Sequence, residues 1–141
     1  VCILVRDFNP DYDYPNCENN HINIPPEFYE KSIDIIGRDR MYIICSNNIE
    51  LTKKQEVFQG DNFIFNEVVP TDIYKGHFDL CLMSMCQDFI ISNSTFAWWG
   101  AWLGKGEGKR VLIPTPWYGP GLSHISTDDL YPDEWEKIEW K

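Results

Sequence analysis

The fold is decided by the stretch Asp88–Leu103, which reads DFIISNSTFAWWGAWL. It begins with a short apolar run, continues through a turn rich in hydroxyl and amide groups, and ends in an apolar segment of helical length. We therefore predict a buried strand, a turn, and a helix that Ser94 caps and Gly104 ends. The start of a helix carries unpaired N–H groups and a partial positive charge, and it can hold a pyrophosphate or simply be capped.

Apolar runs alternate with amphipathic ones in the rest of the chain. Further strands are predicted at Val1–Val5, Met41–Cys45, Asn62–Phe65 and Val111–Ile113. Helices are predicted at 27–36, at 50–58, and after a polar turn at Thr71–Asp72, where Phe78, Leu82 and Met85 form an apolar stripe. The tail from Pro114 onward contains no predicted strand.

This alternation predicts an α/β fold, a Rossmann-like parallel sheet with helices on both faces, in one domain over residues 1–141. Such sheets bind ligands beyond the carboxyl ends of their strands. Three places meet that condition in the predicted sheet: Arg6–Asp7, Ser46–Asn47 and 93–95.

Composition excludes several classes of protein. The 141 residues are 43% hydrophobic, which argues against disorder, and their net charge of −10 argues against a nucleic-acid binder. A small anionic ligand remains compatible, because local groups can create a positive pocket on an acidic protein. No apolar run approaches the roughly 20 residues of a membrane helix, so we expect no transmembrane segment in this chain.

Cysteine and histidine spacing predicts no metal site. The five cysteines form no C-x-x-C pair, and their odd number does not suggest a disulfide framework. The three histidines show no metal-binding spacing. The chain opens at Val1 within an apolar run, so we expect a domain cut from a longer protein.

Four segments carry a resemblance to one family. Asn93–Trp99 resembles the Asn-Ser-Ser/Thr-Phe-Ser-Trp-Trp signature of the α-1,2-fucosyltransferases, glycosyltransferase family 11. Asp79–Cys86 is similar to the helix that precedes that signature, Pro114–Pro120 to the Pro-x-x-Trp-Phe segment, and Asp129–Ile138 to the C-terminal end. All four occur in the family's order.

The resemblance implies one half of a GT-B glycosyltransferase. The expected activity is transfer of fucose from GDP-fucose to a galactose-containing glycan, with inversion and without a metal ion or other cofactor. This chain would be the C-terminal donor-binding half, and the N-terminal acceptor domain would be absent from it. Because GDP-sugars are cytosolic, we expect a cytoplasmic protein or one peripheral to a membrane.

The resemblance also implies a set of residues that bind GDP-fucose. They are Arg6, Asp79, Asn93, Ser94, Thr95 and Phe96. Arg6 would bind the β-phosphate, unless it forms an ion pair with Asp7 or Asp11. Asp79 would hydrogen-bond the guanine, unless it is an exposed helix position or a cap. No residue is identified as the catalytic base.

The first basic motif departs from the family pattern. The family has His-x-Arg-Arg-x-Asp after a strand, whereas this chain has Leu4 in place of the histidine and Asp7 in place of the second arginine. An alternative is therefore a degenerate module of the same fold, without catalysis, or a protein-interaction domain. An exposed aromatic patch around Trp117 and Trp135 would support the interaction domain. Trp98 and Trp99 are predicted to lie in the core.

Overall fold

The computed structural model describes residues 1–11, 13–15, 17–68 and 74–140. Its strands are β1 (Cys2–Val5), β2 (Tyr42–Ser46), β3 (Phe63–Phe65), β4 (Phe89–Ile91), β5 (Val111–Thr115) and β6 (Glu136–Glu139). Its α-helices are α1 (Cys17–Asn20), α2 (Pro26–Ile36), α3 (Ile49–Thr52), α4 (Lys75–Ser84) and α5 (Thr95–Leu103). Short 3₁₀ turns lie at Glu56–Phe58, Pro120–Leu122 and Asp128–Leu130. The turn predicted at Thr71–Asp72 lies outside the described residues.

The strands form one sheet with the order β3-β2-β1-β4-β5-β6. Every neighbouring pair is parallel. The chain starts at the centre of the sheet, builds one half outward, and returns to place β4 beside β1. The predicted Rossmann-like α/β fold is confirmed, and the strand order reverses between β1 and β4.

Both faces of the sheet are buried, as a parallel sheet requires. Cys2 and Leu4 of β1 belong to the core on the α5 face of the sheet, together with Ala97 and Ala101 of that helix. Ile3 and Val5 pack on the opposite face against α2, through Phe28, Tyr29 and Ile33. Alternate residues of β1 thus serve two separate cores, which fixes the position of its carboxyl end.

The helix predicted at 50–58 is instead two short pieces, α3 and the 3₁₀ turn at Glu56–Phe58. The side chain of Gln59 donates hydrogen bonds to the carbonyls of Lys53 and Gln55, at 2.9 and 3.1 Å. These bonds satisfy carbonyl groups at the break, so a continuous helix is not needed to pair them.

The apolar stripe predicted on α4 is confirmed only in part. Leu82 packs against the core beside α5, whereas Met85 is 78% exposed. The helix buries Asp79 and Met83 instead. A carboxylate can lie on the buried face here because Lys75 and Asn66 both pair with it. The apolar pattern could not reveal that satisfied polar group.

The tail contains a sixth strand that the sequence did not predict. β6 is charged along most of its length and joins the edge of the sheet beside β5. Glu136 receives two hydrogen bonds from the guanidinium of Arg110, at 2.8 and 2.9 Å. This bidentate ion pair helps to hold β6 against β5, so the strand does not need an apolar run to join the sheet.

The exposed aromatic patch at Trp117 and Trp135 that would support an interaction domain is not found. Trp117 is 2% exposed and Trp135 is 7% exposed, since both cover the core beside α5. Trp98 is half-buried, and its indole N–H donates to the carbonyl of Leu130 at 2.9 Å. Trp99 is 53% exposed, so its predicted place in the core is wrong. The helix turns that side chain outward because Ala97 and Ala101 form its buried face.

No helix in 1–11, 13–15, 17–68 or 74–140 combines the length and the apolar character needed to cross a membrane.

Candidate functional site

A cavity of about 860 Å³ opens beyond the carboxyl ends of the strands. Residues that follow four different strands line it: Arg6 after β1, Asn47 after β2, Asn66 after β3 and Asn93 after β4. The cavity therefore spans the point between β1 and β4 where the strand order reverses, which is the ligand position of this fold. All six residues of the predicted site line it: Arg6, Asp79, Asn93, Ser94, Thr95 and Phe96.

Arg6 lines the cavity from the loop that follows β1. A terminal nitrogen of its guanidinium pairs with the carboxylate of Asp13. The guanidinium carbon also lies 4.9 Å from the centre of the Phe8 ring. The alternative of an ion pair at Arg6 therefore holds, but its partner is Asp13 and not Asp7 or Asp11.

Asp13 is fixed by the same loop. Its second carboxylate oxygen accepts a hydrogen bond from the backbone N–H of Asn9 at 3.0 Å. The guanidinium has five N–H donors, and Asp13 engages only one of its nitrogens. Asp13 therefore orients Arg6 and leaves donors available to a ligand.

Asp7 does not line the cavity. Its carboxylate accepts from the side-chain amides of Asn48, at 2.8 Å, and Asn23, at 3.4 Å. Its backbone N–H and carbonyl pair with the amide of Asn47 at 2.8 Å each. The carboxylate that departs from the family pattern thus ties three loops together and is turned away from the site.

The start of α5 forms the floor beside Arg6. Ser94 has an extended backbone, and its Oγ accepts from the N–H of Ala97 at 3.4 Å, which confirms the predicted cap. Thr95 and Phe96 occupy the first turn, where backbone N–H groups have no partner within the helix. Both are exposed toward the cavity. These amides and the positive end of the helix favour an anionic ligand.

Asn93 is 2% exposed and joins distant parts of the chain. Its amide nitrogen donates to the carbonyl of Ile22 at 3.0 Å and to that of Trp117 at 3.1 Å. Its Oδ1 has no hydrogen-bond partner within the described residues. The residue fixes the start of α5 against two loops and keeps one acceptor unused.

Asp79 lines the cavity from α4, which packs beside α5. It is 7% exposed, so the alternatives of an exposed position or a cap are wrong. Its two oxygens accept from the amide of Asn66 and the ammonium of Lys75, each at 2.6 Å. A carboxylate has about four lone-pair sites, so Asp79 retains capacity to accept from a ligand.

Lys75, His21 and Tyr118 are among the lining residues that sequence reasoning missed. Lys75 could have been found, because it precedes Asp79 by one helical turn and the pair is an i, i+4 ion pair. His21 and Tyr118 come from the loops after α1 and β5, and their rings lie 5.9 Å apart. No local pattern signals that contact, since it depends on the packing of two loops.

The charges of the cavity are largely paired. Each cation, Arg6 and Lys75, lies against a carboxylate, and Glu67 pairs with Lys53 outside. Burial lowers the pKa of His21, the positive charge of Arg6 lowers it further, and Asp13 opposes both effects. In the described ranges, no group of three or more His, Cys, Asp or Glu side chains could hold a metal ion. The arrangement is suited to an anion that lies between Arg6 and the start of α5.

Sheet order and cavity position define a Rossmann-like domain with its ligand site at the point of strand reversal. Residues 11–139 match the model of Glycosyl transferase family 11, and the chain belongs to this family. It is 31% identical over 119 residues to the O-antigen biosynthesis glycosyltransferase WbnK of Escherichia coli, covering 81% of this chain and 38% of the relative. It is 32% identical over 102 residues to an alpha-1,2-colitosyltransferase of Escherichia coli, covering 70% and 33%.

The chain therefore spans between a third and two fifths of the length of these curated relatives. No solved structure matches the chain.

Proposed function

We propose that this chain is the donor-binding part of a glycosyltransferase that uses GDP-fucose. The enzyme would transfer fucose to a galactose-containing glycan with inversion at the anomeric carbon. One observation carries the proposal: a single cavity is lined by Arg6, by the start of α5 and by a buried carboxylate, Asp79. A sugar nucleotide offers matching groups, since its diphosphate is anionic and its base presents N–H donors.

The diphosphate would lie between Arg6 and the first turn of α5. The planar guanidinium donates to phosphate oxygens in pairs, and the amides of Thr95 and Phe96 lie in the turn that favours anions. The hydroxyl of Ser94 caps the helix, so its role would be to hold these amides in place. Asn93 would support the same turn through its bonds to Ile22 and Trp117.

Guanine would lie toward Asp79. Its edge presents two N–H donors, which suit a carboxylate that keeps free lone pairs. Asn66 and Lys75 hold Asp79 in a fixed orientation, and such preorganisation lowers the entropy lost on binding. Uracil lacks this pair of donors, so UDP would bind more weakly.

Catalysis would depend on stabilising the leaving diphosphate. As the bond to fucose breaks, negative charge grows on the β-phosphate, and fixed donors lower the energy of that state. Arg6 and α5 would supply these donors, so we propose that no metal ion is needed. The acceptor glycan and its base would belong to the rest of a GT-B enzyme.

The proposal extends to the sugar that the donor nucleotide carries. One relative is named for colitose and another for O-antigen biosynthesis, so a colitose donor is the competing substrate. We propose fucose and a cytoplasmic location, where GDP-sugars are made.

Calorimetric titration of GDP into the chain tests donor binding. We expect saturable binding that UDP does not reproduce and that Arg6→Ala weakens. Arg38→Ala is the matched control, because Arg38 is an exposed arginine far from the cavity lining. Absence of saturation at millimolar GDP would contradict the proposal and favour the degenerate module, for which the pairing of Arg6 with Asp13 is the supporting observation.

A further inference from the structure

His21 contributes an imidazole ring to the lining of the cavity. Its Nδ1 is buried and has no hydrogen-bond partner within the described residues. The ring is held by stacking on Phe8, with ring centres 4.9 Å apart and an angle of 15° between the planes. Tyr14 and Tyr118 pack around it at 6.2 and 5.9 Å. A buried polar atom without a partner costs free energy, which a bound ligand can recover.

Neighbouring residues connect His21 to the proposed anion-binding elements of the site. Phe8, on which the ring stacks, also contacts the guanidinium of Arg6. The next residue, Ile22, accepts the hydrogen bond from Asn93 that fixes the start of α5. His21 therefore lies within reach of the charge of Arg6 and next in sequence to the residue that holds Asn93.

Charged and titratable groups surround His21 on each packed segment. The loop after β1 contributes Arg6, Asp13 and Tyr14, with Asp7 turned toward Asn23. The loop after β5 contributes Tyr118. Helix α1, which directly precedes His21 in sequence, carries Cys17 and Glu18, and the thiol of Cys17 pairs with the carboxylate of Glu18.

The ligand-free ring is expected to be neutral at pH 7. Burial and Arg6 lower its pKa, and they outweigh the opposing effect of Asp13. A diphosphate would change that balance, because it adds negative charge and partly neutralises Arg6.

We propose that His21 binds the diphosphate of the sugar nucleotide as an imidazolium and takes one proton from solvent when the donor enters. This rests on the proposed donor-binding function. The protonated ring then donates an N–H to a phosphate oxygen. During transfer the bond between the anomeric carbon and the β-phosphate oxygen breaks, its electron pair stays on that oxygen, and the imidazolium stabilises the charge without giving up its proton.

Calorimetry with GDP-fucose tests the proton uptake. Both phosphates of this donor are esterified, so it lacks the terminal phosphate proton that titrates near neutrality in GDP. Titrations at pH 7 in two buffers with different ionisation enthalpies should show proton uptake in the parent chain. His21→Gln should abolish it, and the exposed control His124→Gln should retain it.

The pH dependence has a definite sign. A donor that raises the pKa of His21 binds more tightly as the pH falls. Uptake of a full proton lowers the affinity about tenfold for each pH unit, so we expect a decrease of at least about tenfold between pH 6 and pH 8, and a nearly flat profile in His21→Gln.

Proton magnetic resonance of the three histidines gives a readout that needs no variant. On addition of GDP-fucose at pH 7, the C2 proton of His21 should move to the imidazolium position, while those of His77 and His124 stay in place. Donor binding without proton uptake, or with uptake unchanged in His21→Gln, would overturn the role of His21 alone. No binding of GDP-fucose would overturn both this role and the proposed function.

Discussion

Arg6 and Asp79, two charged residues of the cavity lining, lie in contrasting settings. Arg6 lies on a loop, its side chain is 27% exposed, and its partner Asp13 is 18% exposed. Asp79 lies on a helix with its side chain 10% exposed, between Lys75 and Asn66. A loop cation can exchange one anionic partner for another, whereas a buried anion with two fixed partners is part of the framework. Arg6 should therefore determine binding, and Asp79 should determine stability as well.

Asp79→Ala should have the largest effect on stability. It leaves the ammonium of Lys75 and the amide of Asn66 without their partner, in a setting where breaking a buried pair is costly. We expect the free energy of unfolding to fall by about 3 kcal/mol, measured by urea denaturation. The exposed Glu107→Gln is the control and should change it by less than about 0.5 kcal/mol. Equal stability of the two variants would show that Asp79 is not part of the framework.

Arg6→Ala should separate binding from stability. Its ion pair is partly exposed and contributes about 1 kcal/mol or less to folding. Loss of a charged hydrogen bond to phosphate should weaken GDP binding about 20-fold, measured by calorimetry. An Arg6→Ala variant that loses stability but binds GDP normally would show that Arg6 serves the framework and not binding.

Local sequence patterns predicted the central elements of the fold. The central sheet followed from the apolar runs, and the strand, turn and capped helix at Asp88–Leu103 were confirmed. The candidate residues came from a resemblance, and the structure brings all six to one cavity. Their roles as donor ligands stay predictions.

Other features depend on contacts between distant residues. β6 joins the sheet through the pair of Arg110 and Glu136. Asp79 can be buried because the side chain of Asn66, which follows β3, donates a hydrogen bond to it. His21 enters the site only because α1 packs near the loop after β5. No local pattern encodes such pairings, because each partner alone resembles an ordinary surface residue.

Ser94→Ala should have a moderate effect on both stability and GDP binding. It removes the cap that accepts from Ala97, so the first turn of α5 should fray. We expect about 1 kcal/mol of destabilisation by thermal unfolding, together with weaker GDP binding. Ser94→Asp restores a cap but adds a negative charge, so it should recover stability and not binding. Recovery of both by aspartate would show that no anion lies at this turn.

Asp13→Asn should have the smallest effect. Asparagine has one acceptor oxygen in place of two, so in this geometry it can accept from Arg6 or from Asn9 but not from both, and it no longer neutralises the guanidinium. We expect GDP to bind a few-fold more tightly, by about 0.5 kcal/mol, with little change in the thermal midpoint. Weaker binding instead would show that the charge of Asp13, and not only its geometry, is needed to orient Arg6.

The most direct test of the account is to map GDP on the chain by ¹H–¹⁵N correlation spectroscopy during a titration. We predict that the largest shifts occur at the amides of Thr95 and Phe96 and at the side chain of Arg6, with smaller shifts near Asp79. Shifts confined to surfaces away from this cavity, or none at saturating GDP, would contradict the claim that the cavity between β1 and β4 is a donor site.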